Sequence, residues 1–458
     1  MNSSRLTIMM LSWLAHGHIS PFLELSKRLS SRGMMVYLCS TPINLDSIRE
    51  SLDEKVFPSI KLVEIQLPSI PGLAPHIQST KHLPPHLMAL FKEAFDFTEP
   101  YFEQLLDQLQ PNLLFYDIFQ PWVPKVTHLR NIPSLLFLTT SAICSAYLCH
   151  LLLRPNEEEF PFPEFHDVHK GFGDILRRMA NGISNRERFL MGINRSLNYI
   201  IIKTFGEIES TYIDYLAQLT KKEIISTGPL LPNVKDEIYP KYCDKWLSTK
   251  EMSSVVLVSF GSEYFLSQEQ LEEVALGLEL SHLKFIWIVR FLKEEMVSES
   301  EFHGSCAHAQ SLPLGFQERL GEDKALLVDG WASQREILTH PSIGGFLTHC
   351  GWSSVMEGMG FGVPIIALPM QLDQPFNAKL VTDLGVGVEV TRTEGMVGRF
   401  SSDQIAKGIQ RVMIDEEGVH IRRKSKEMAK IITNHVEKEE IDVLVQKMVA
   451  LNVEKEKI

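Results

Sequence analysis

The chain has 458 residues, 44% of them hydrophobic and 22% charged, with a formal net charge of −12. That length builds two or three domains with large cores, and an acidic chain whose only basic cluster is Arg422-Arg423-Lys424 does not offer a nucleic-acid surface. Six cysteines at 39, 144, 149, 243, 306 and 350 form no C-x-x-C pair, which excludes a zinc ribbon and suits free thiols in a reducing compartment.

Residues 6–15 are apolar, but the run is too short for a membrane span and leads into His16-Gly17-His18 without a small-residue cleavage site. It predicts a strand rather than a signal peptide or anchor. Gly17-His18-Ile19-Ser20-Pro21 reads as a turn and 22–32 as an amphipathic helix ended by Gly33. Residues 34–40 complete a βαβ unit, and the absence of G-x-G-x-x-G after its first strand argues against a nicotinamide dehydrogenase. Further strands are expected at 60–67, 112–117, 133–138 and 198–204, with a long helix over 87–109 and another over 207–219. The stretch 150–185, with Glu157-Glu158-Glu159 and several prolines, reads as irregular: part of an acceptor pocket or a loose surface loop. Residues 231–246 read as an interdomain linker. Beyond it a second α/β theme begins, with strands at 255–260, 285–290 and 325–328, a helix over 268–279 and a polar loop over 292–312.

Residues 331–374 carry the densest chemistry. The run 344–349 is a buried strand, Cys350-Gly351-Trp352 a turn, Ser353 and Ser354 good N-cap residues, and 355–361 a short helix. Residues 362–368 are strand-like, and Asp373-Gln374 opens another helix. The alternation is the grammar of a parallel sheet covered on both faces. A helix N-terminus preceded by His349, Gly351, Ser353 and Ser354 suits a diphosphate. Trp331 is a flat surface for a base, a contact worth roughly 1–3 kcal/mol in single-strand binding. Glu357 suits ribose hydroxyls, and Asp373 and Gln374 suit a sugar.

These anchors resemble the signature box of plant UDP-dependent glycosyltransferases: Trp331, Gln334, His349-Cys350-Gly351-Trp352, Glu357, Gly362-Val363-Pro364, Pro369 and Asp373-Gln374 stand at that family's spacing. The resemblance implies a GT-B fold, α/β throughout, with two Rossmann-like doubly wound domains facing across a cleft. It implies an N-terminal acceptor domain over 1–230, the linker over 231–246, a UDP-sugar domain over 247–435 and a C-terminal helix over 436–458 that returns to the first domain. It also implies roles: Trp331 and the Ala332 backbone on uracil, Gln334 and Glu357 on the ribose, His349, Ser353 and Ser354 on the phosphates, and Trp352, Asp373 and Gln374 on the sugar. Two positions depart from the family pattern, Ser353 where Asn is usual and Ser333 where Pro is usual.

Transfer from a nucleotide sugar needs an activated hydroxyl and a stabilised leaving diphosphate. His18 follows the first strand in Gly-His-x-x-Pro, and imidazole offers a neutral base near pH 7. Asp117, at another strand end, can orient it; the resemblance places the family's His and Asp at these positions. His16 is a rival, sharing a face with His18 if the segment is extended. The chain has no D-x-D motif, so no metal is expected, and Gly261, Ser262, His349, Ser353 and Ser354 are expected to meet the diphosphate. Direct displacement would invert the anomeric centre, giving a β-glycoside from an α-linked donor.

Gln374 goes, in the family, with UDP-glucose as co-substrate, where His would go with UDP-galactose; xylose and glucuronic acid are the alternative donor sugars. The stretches 13–25, Gln120-Pro121-Trp122, 259–265 and 349–354 resemble the subgroup that adds a sugar to the sugar of a flavonoid, lignan, carotenoid-ester or triterpenoid glycoside, by 1→2 or 1→6 linkage. The resemblance implies an unanchored cytoplasmic monomer acting on small molecules. The alternatives are transfer directly to an aglycone, a UDP-sugar hydrolase or epimerase, and a non-catalytic UDP-sugar binder.

Overall fold

The computed structural model describes residues 6–81, 83–154, 159–166, 168, 172–231, 241–290, 312–329, 332–392, 399–433 and 437–455. The chain divides into two compact units, Met1–Pro232 with His435–Ile458, and Asn233–Asn434. Each unit is an α/β layer structure around one parallel sheet.

The strands, in chain order, are β1 (Thr7–Leu11), β2 (Met35–Ser40), β3 (Ile60–Glu64), β4 (Leu113–Tyr116), β5 (Ser134–Leu138), β6 (Met179–Ala180), β7 (Ile183–Ser184), β8 (Tyr199–Ile202) and β9 (Glu223–Ser226). Seven of them form the first sheet in the order β3-β2-β1-β4-β5-β8-β9, every neighbouring pair parallel. The second unit adds β10 (Val255–Ser259), β11 (Lys284–Val289), β12 (Ala325–Asp329), β13 (Ile343–Thr348), β14 (Ile365–Ala367) and β15 (Gly387–Glu389), in the order β12-β11-β10-β13-β14-β15, again parallel.

The central strands are apolar on both faces because helices cover both. Alternate residues of β1 go to opposite cores: Met9 and Leu11 pack with Leu114 and Tyr116, while Ile8 and Met10 pack with Val36, Leu38 and Phe115. The second core also holds Ile441, Leu444 and Met448, so the helix Glu437–Lys455 is a layer of the first unit. Arg32 donates to Asp442 at 2.6 Å and Lys447 to Glu223 at 2.9 Å, fixing the register of that helix.

Both sheets reverse strand order at an inner pair, β1/β4 in the first and β10/β13 in the second. Parallel sheets open a crevice at the carboxyl ends of such a pair, because the flanking helices lie on opposite faces there.

Several expectations are corrected. Residues 17–21 are not a turn: the helix runs His16–Ser30 and includes Pro21. The expected long helix is two, Met88–Asp96 and Glu99–Leu109. Pro100 lies in the first turn of the second, where its missing N–H and ring are tolerated; inside one continuous helix they would not be. The linker expected over 231–246 includes a helix, Lys241–Leu247, while 232–240 and residues 292–311 of the loop expected over 292–312 lie outside the described residues. The stretch 150–185 is not a loose loop where described. Phe160 and Phe165 are buried and pack edge-on against Tyr147, Tyr212 and Tyr215. Among the described residues no helix is long and apolar enough to cross a membrane.

Leu444 is wholly buried between the C-terminal helix and the first sheet. Leu444→Ala should lower the unfolding free energy by about 2–5 kcal/mol, read by urea denaturation; no change would mean the helix contributes nothing to the first core.

Candidate active site

In the first unit the site grows from β1 and β4. After β1 the chain turns through Ser12–Ala15, all buried, and enters the helix with His18 as its third residue. His18 Nδ1 lies 2.7 Å from Asp117 Oδ2, and Asp117 follows β4 directly. The Asp117 side chain is 2% exposed and that of His18 21%. The carboxylate therefore has little water to solvate it and depends on its partners. The Trp13 N–H donates to the same Oδ2 at 3.3 Å. A carboxylate only accepts hydrogen bonds, so the Nδ1 proton faces Asp117 and the lone pair of the neutral ring is on Nε2. Phe119 packs on the His18 ring at 5.6 Å between centroids, and Trp13 lies 5.1 Å from Phe119, giving the imidazole an aromatic wall. His16 is exposed. Because the segment is helical, positions 16 and 18 are about 200° apart around the axis and do not share a face.

Thr139 was not anticipated. It follows β5, and its Oγ1 lies 3.2 Å from His18 Nδ1. The available signal was its place at a strand end beside β4, the same signal that selects Asp117.

In the second unit the site grows from β10 and β13. Gly261, after β10, has φ +75, and Cys350, after β13, has φ +63. Between them lies the His349 ring. A Cβ on Gly261 would stand 2.6 Å from His349 Cε1 and 2.8 Å from Nε2, and one on Gly351 2.7 Å from Nε2. Two glycines are needed because the ring edge occupies the space that any side chain would take. The ring keeps some surface exposed, but desolvation pulls its pKa to about 4, so it is a neutral imidazole. Thr348 Oγ1 lies 3.3 Å from its Nδ1.

Gly351, not Ser353 or Ser354, is the N-cap; the helix is Trp352–Phe361. Ser353 and Ser354 are its second and third residues, whose N–H groups belong to the free first turn. Ser354 Oγ accepts from Gln334 Nε2 at 3.1 Å, and the same nitrogen donates to Glu357 Oε2 at 2.7 Å. Gln334, Ser354 and Glu357 are thus one cluster. Trp352 is 3% exposed, so its indole is an interior side chain and its backbone is the part at the helix start. Ala332 is buried; Trp331 lies outside the described residues. Ser333 takes over helix initiation, capping Gln334–Thr339 by accepting from the Glu336 N–H at 3.3 Å.

Asp373 is the N-cap residue of Gln374–Asp383 and accepts from Asn377 Nδ2 at 2.8 Å. Gln374 Oε1 accepts from the N–H groups of Met370 and Gln371, both at 2.9 Å. Its carbonyl therefore ties the preceding turn, and its amide NH2 is the end available to a ligand. Arg290, unanticipated, follows β11, donates to the Ser262 carbonyl and lies 5.2 Å from the Phe265 ring centre. It ties the Gly261-Ser262 turn to the end of β11.

Residues 4–232 match the family described as glycosyltransferase, N-terminal domain, and residues 233–420 the family described as UDP-glucoronosyl and UDP-glucosyl transferase. The chain is 42% identical to the beta-D-glucosyl crocetin beta-1,6-glucosyltransferase of Gardenia jasminoides, across 97% of this chain and 99% of that one. The chain belongs to the UDP-dependent glycosyltransferases. It is also 42% identical to the flavanone 7-O-glucoside 2''-O-beta-L-rhamnosyltransferase of Citrus maxima, over 97% of each chain. The fold superimposes on UGT73P12 of Glycyrrhiza uralensis, crystallised with glycyrrhetinic acid 3-O-monoglucuronide. The TM-score is 0.83 at 23% identity, covering 99% of this chain and 98% of that one. The two-unit α/β architecture is therefore the GT-B fold, and the protein is a glycosyltransferase of small-molecule or glycoside acceptors.

The His349 pKa has a consequence for the glycosyltransferase's stability. The folded value of about 4 lies below the ordinary 6.5, so the folded state resists a proton that the unfolded chain accepts. The stability held by the neutral ring is complete above pH 6.5 and is lost as pH falls toward 4. Between pH 7 and 5 the wild type should lose on the order of 1–2 kcal/mol more than His349→Gln. Urea unfolding at the two pH values checks this, and equal losses would contradict it.

Proposed function

We propose that this glycosyltransferase moves glucose from UDP-glucose to a hydroxyl on the sugar of a small-molecule glycoside, with inversion. The observation that carries the reading is the 2.7 Å contact between His18 and a buried Asp117 at the strand-order reversal of the first sheet. His18 Nε2 takes the proton of the acceptor hydroxyl as its oxygen attacks the anomeric carbon. The glycosidic bond to UDP breaks, and the diphosphate leaves with the electron pair. Asp117 stabilises the imidazolium that forms.

In the second unit, His349 and the first-turn N–H groups at Ser353 and Ser354 receive the developing diphosphate charge, with Gly261 and Ser262 lining the turn after β10. Neutral donors and a helix terminus fill that role in this reading, with no metal ion. Gln334 and Glu357 hold the ribose, Trp331 and the Ala332 backbone the uracil, and Asp373, Gln374 and the Trp352 backbone the sugar. Relatives at equal identity are named for glucosyl and rhamnosyl transfer, so overall likeness leaves the donor open. Gln374, with its NH2 available, is the residue that supports glucose.

The acceptor assignment rests on the same relatives, which are named for glycosides as acceptors. Five cysteines among the described residues are buried and in no disulfide, which suits a cytoplasmic enzyme; we take it to act as a monomer.

The test is release of UDP from UDP-glucose without added metal, using acceptors paired as aglycone and monoglucoside from flavonoid and triterpenoid classes. Only the glucosides should support release, and His18→Ala should lose at least about 100-fold, within the usual range for general-base removal. Preference for aglycones would refute the sugar-on-sugar assignment, and release without any acceptor would favour a hydrolase. The anomeric proton coupling of the product should report a β-linkage; an α-product would refute inversion.

A further inference from the structure

Gln120 is wholly buried and lies three residues beyond Asp117, in the loop that leaves β4. Its side-chain Oε1 accepts from the Asp117 N–H at 2.9 Å. Its own backbone N–H donates to the Asp117 carbonyl at 3.2 Å. Residue 120 thus holds both main-chain polar groups of residue 117, closing the loop from inside.

The far end of that amide is unfavourable. Nε2 is buried and has no protein partner among the described residues. A buried amide donor without a partner carries a desolvation cost, and an apolar side chain of the same length would fill the space without it. Rotating the amide does not help, because NH2 would then face the Asp117 N–H, donor against donor. The orientation with Oε1 on Asp117 is the one that leaves Nε2 stranded. Buried polar groups with unmet bonds call for an explanation, and this one adjoins the proposed catalytic pair.

The clamp has a direct route to the base. Asp117 reaches His18 Nδ1 through Oδ2 alone, at 2.7 Å. Its side chain is short, so the position of its backbone sets the position of that oxygen. Phe119, inside the same loop, packs on the His18 ring. Releasing the loop would therefore move the carboxylate and the aromatic wall of the base together.

We propose that Gln120 is a positioning residue for glycosyl transfer, fixing the backbone of Asp117 so that its carboxylate meets His18, with the stranded Nε2 as the consequence of that clamp. The proposal rests on the reading of His18 as base and Asp117 as its orienter, and the experiment separates the two.

Full-length wild type, Gln120→Met, Asp117→Asn and the double variant are compared for kcat, KM for UDP-glucose and thermal midpoint. The acceptor is the monoglucoside that supports UDP release. Gln120→Met exchanges one unpartnered donor, Nε2, for another, the Asp117 N–H, so the midpoint should move by no more than a few degrees. Its kcat should fall at least about tenfold, since small misplacements of reacting groups can cost about 100-fold. KM for the donor should stay within about twofold, and adding Gln120→Met to Asp117→Asn should cause no further loss. Should the Met variant not fold, Gln120→Leu takes its place in the same cycle.

Full additional loss in the Asp117→Asn background would overturn the proposal, as would a kcat that falls only together with the thermal midpoint. An unchanged kcat in Gln120→Met, with Asp117→Asn impaired, would overturn the clamp while leaving the catalytic pair standing. An unchanged kcat in Asp117→Asn would overturn the catalytic pair and the clamp with it.

Discussion

A carboxylate almost without water is the constraint around which the first unit is arranged. Asp117 has little exposed surface, so its charge must be met by hydrogen bonds from the protein. Two segments bring donors to it, the Trp13 N–H from the turn after β1 and the His18 ring from the first turn of the following helix, while Gln120 holds the Asp117 backbone by accepting from its N–H. The strand order makes this possible. Because β1 and β4 are neighbours whose helices depart to opposite faces, their carboxyl ends leave space that side chains from both strand ends can enter.

The second unit solves a different problem with the same topology. There the carboxyl ends of β10 and β13 flank an imidazole instead of a carboxylate. The residues after both strands have positive φ, and Gly261 and Gly351 leave room for the ring edge. Desolvation keeps His349 neutral, so it offers a hydrogen bond without a formal charge. The cluster of Gln334, Ser354 and Glu357 shows polar side chains satisfying one another around the same helix start. One imidazole is thus paired with a carboxylate that orients it, while the other is desolvated and kept a neutral donor; environment separates the two roles, not residue type.

Much of this was legible in the sequence, and the limits are physical. Apolar runs such as 255–260 and 344–349 announced buried parallel strands, and the positions of His18 and Asp117 after strands made them the candidate pair that the structure brings within 2.7 Å. Helix starts were harder. Gly17 to Pro21 read as a turn, yet a proline one turn into a helix is tolerated when the groups it disrupts lie near the end. Ser353 and Ser354 have N-cap chemistry, but Gly351 holds the position because the His349 ring excludes a larger residue. Thr139, Gln120 and Arg290 act through contacts between segments distant in the chain or through a side chain folded back on the backbone, and no local periodicity records those. The resemblance implies Trp352 on the sugar; its indole is interior, which a single aromatic in an apolar helix cannot reveal, and only its backbone stands at the helix start.

The most direct measurement of the central claim is the protonation of the His18 ring nitrogens, by 15N NMR of imidazole-labelled protein in wild type and His18→Gln for assignment. The account predicts Nδ1 protonated and Nε2 bare at neutral pH, with Nδ1 losing its strong hydrogen bond in Asp117→Asn. A ring protonated on Nε2, with Nδ1 bare, would leave no lone pair on Nε2 to accept the acceptor's proton and would contradict the account.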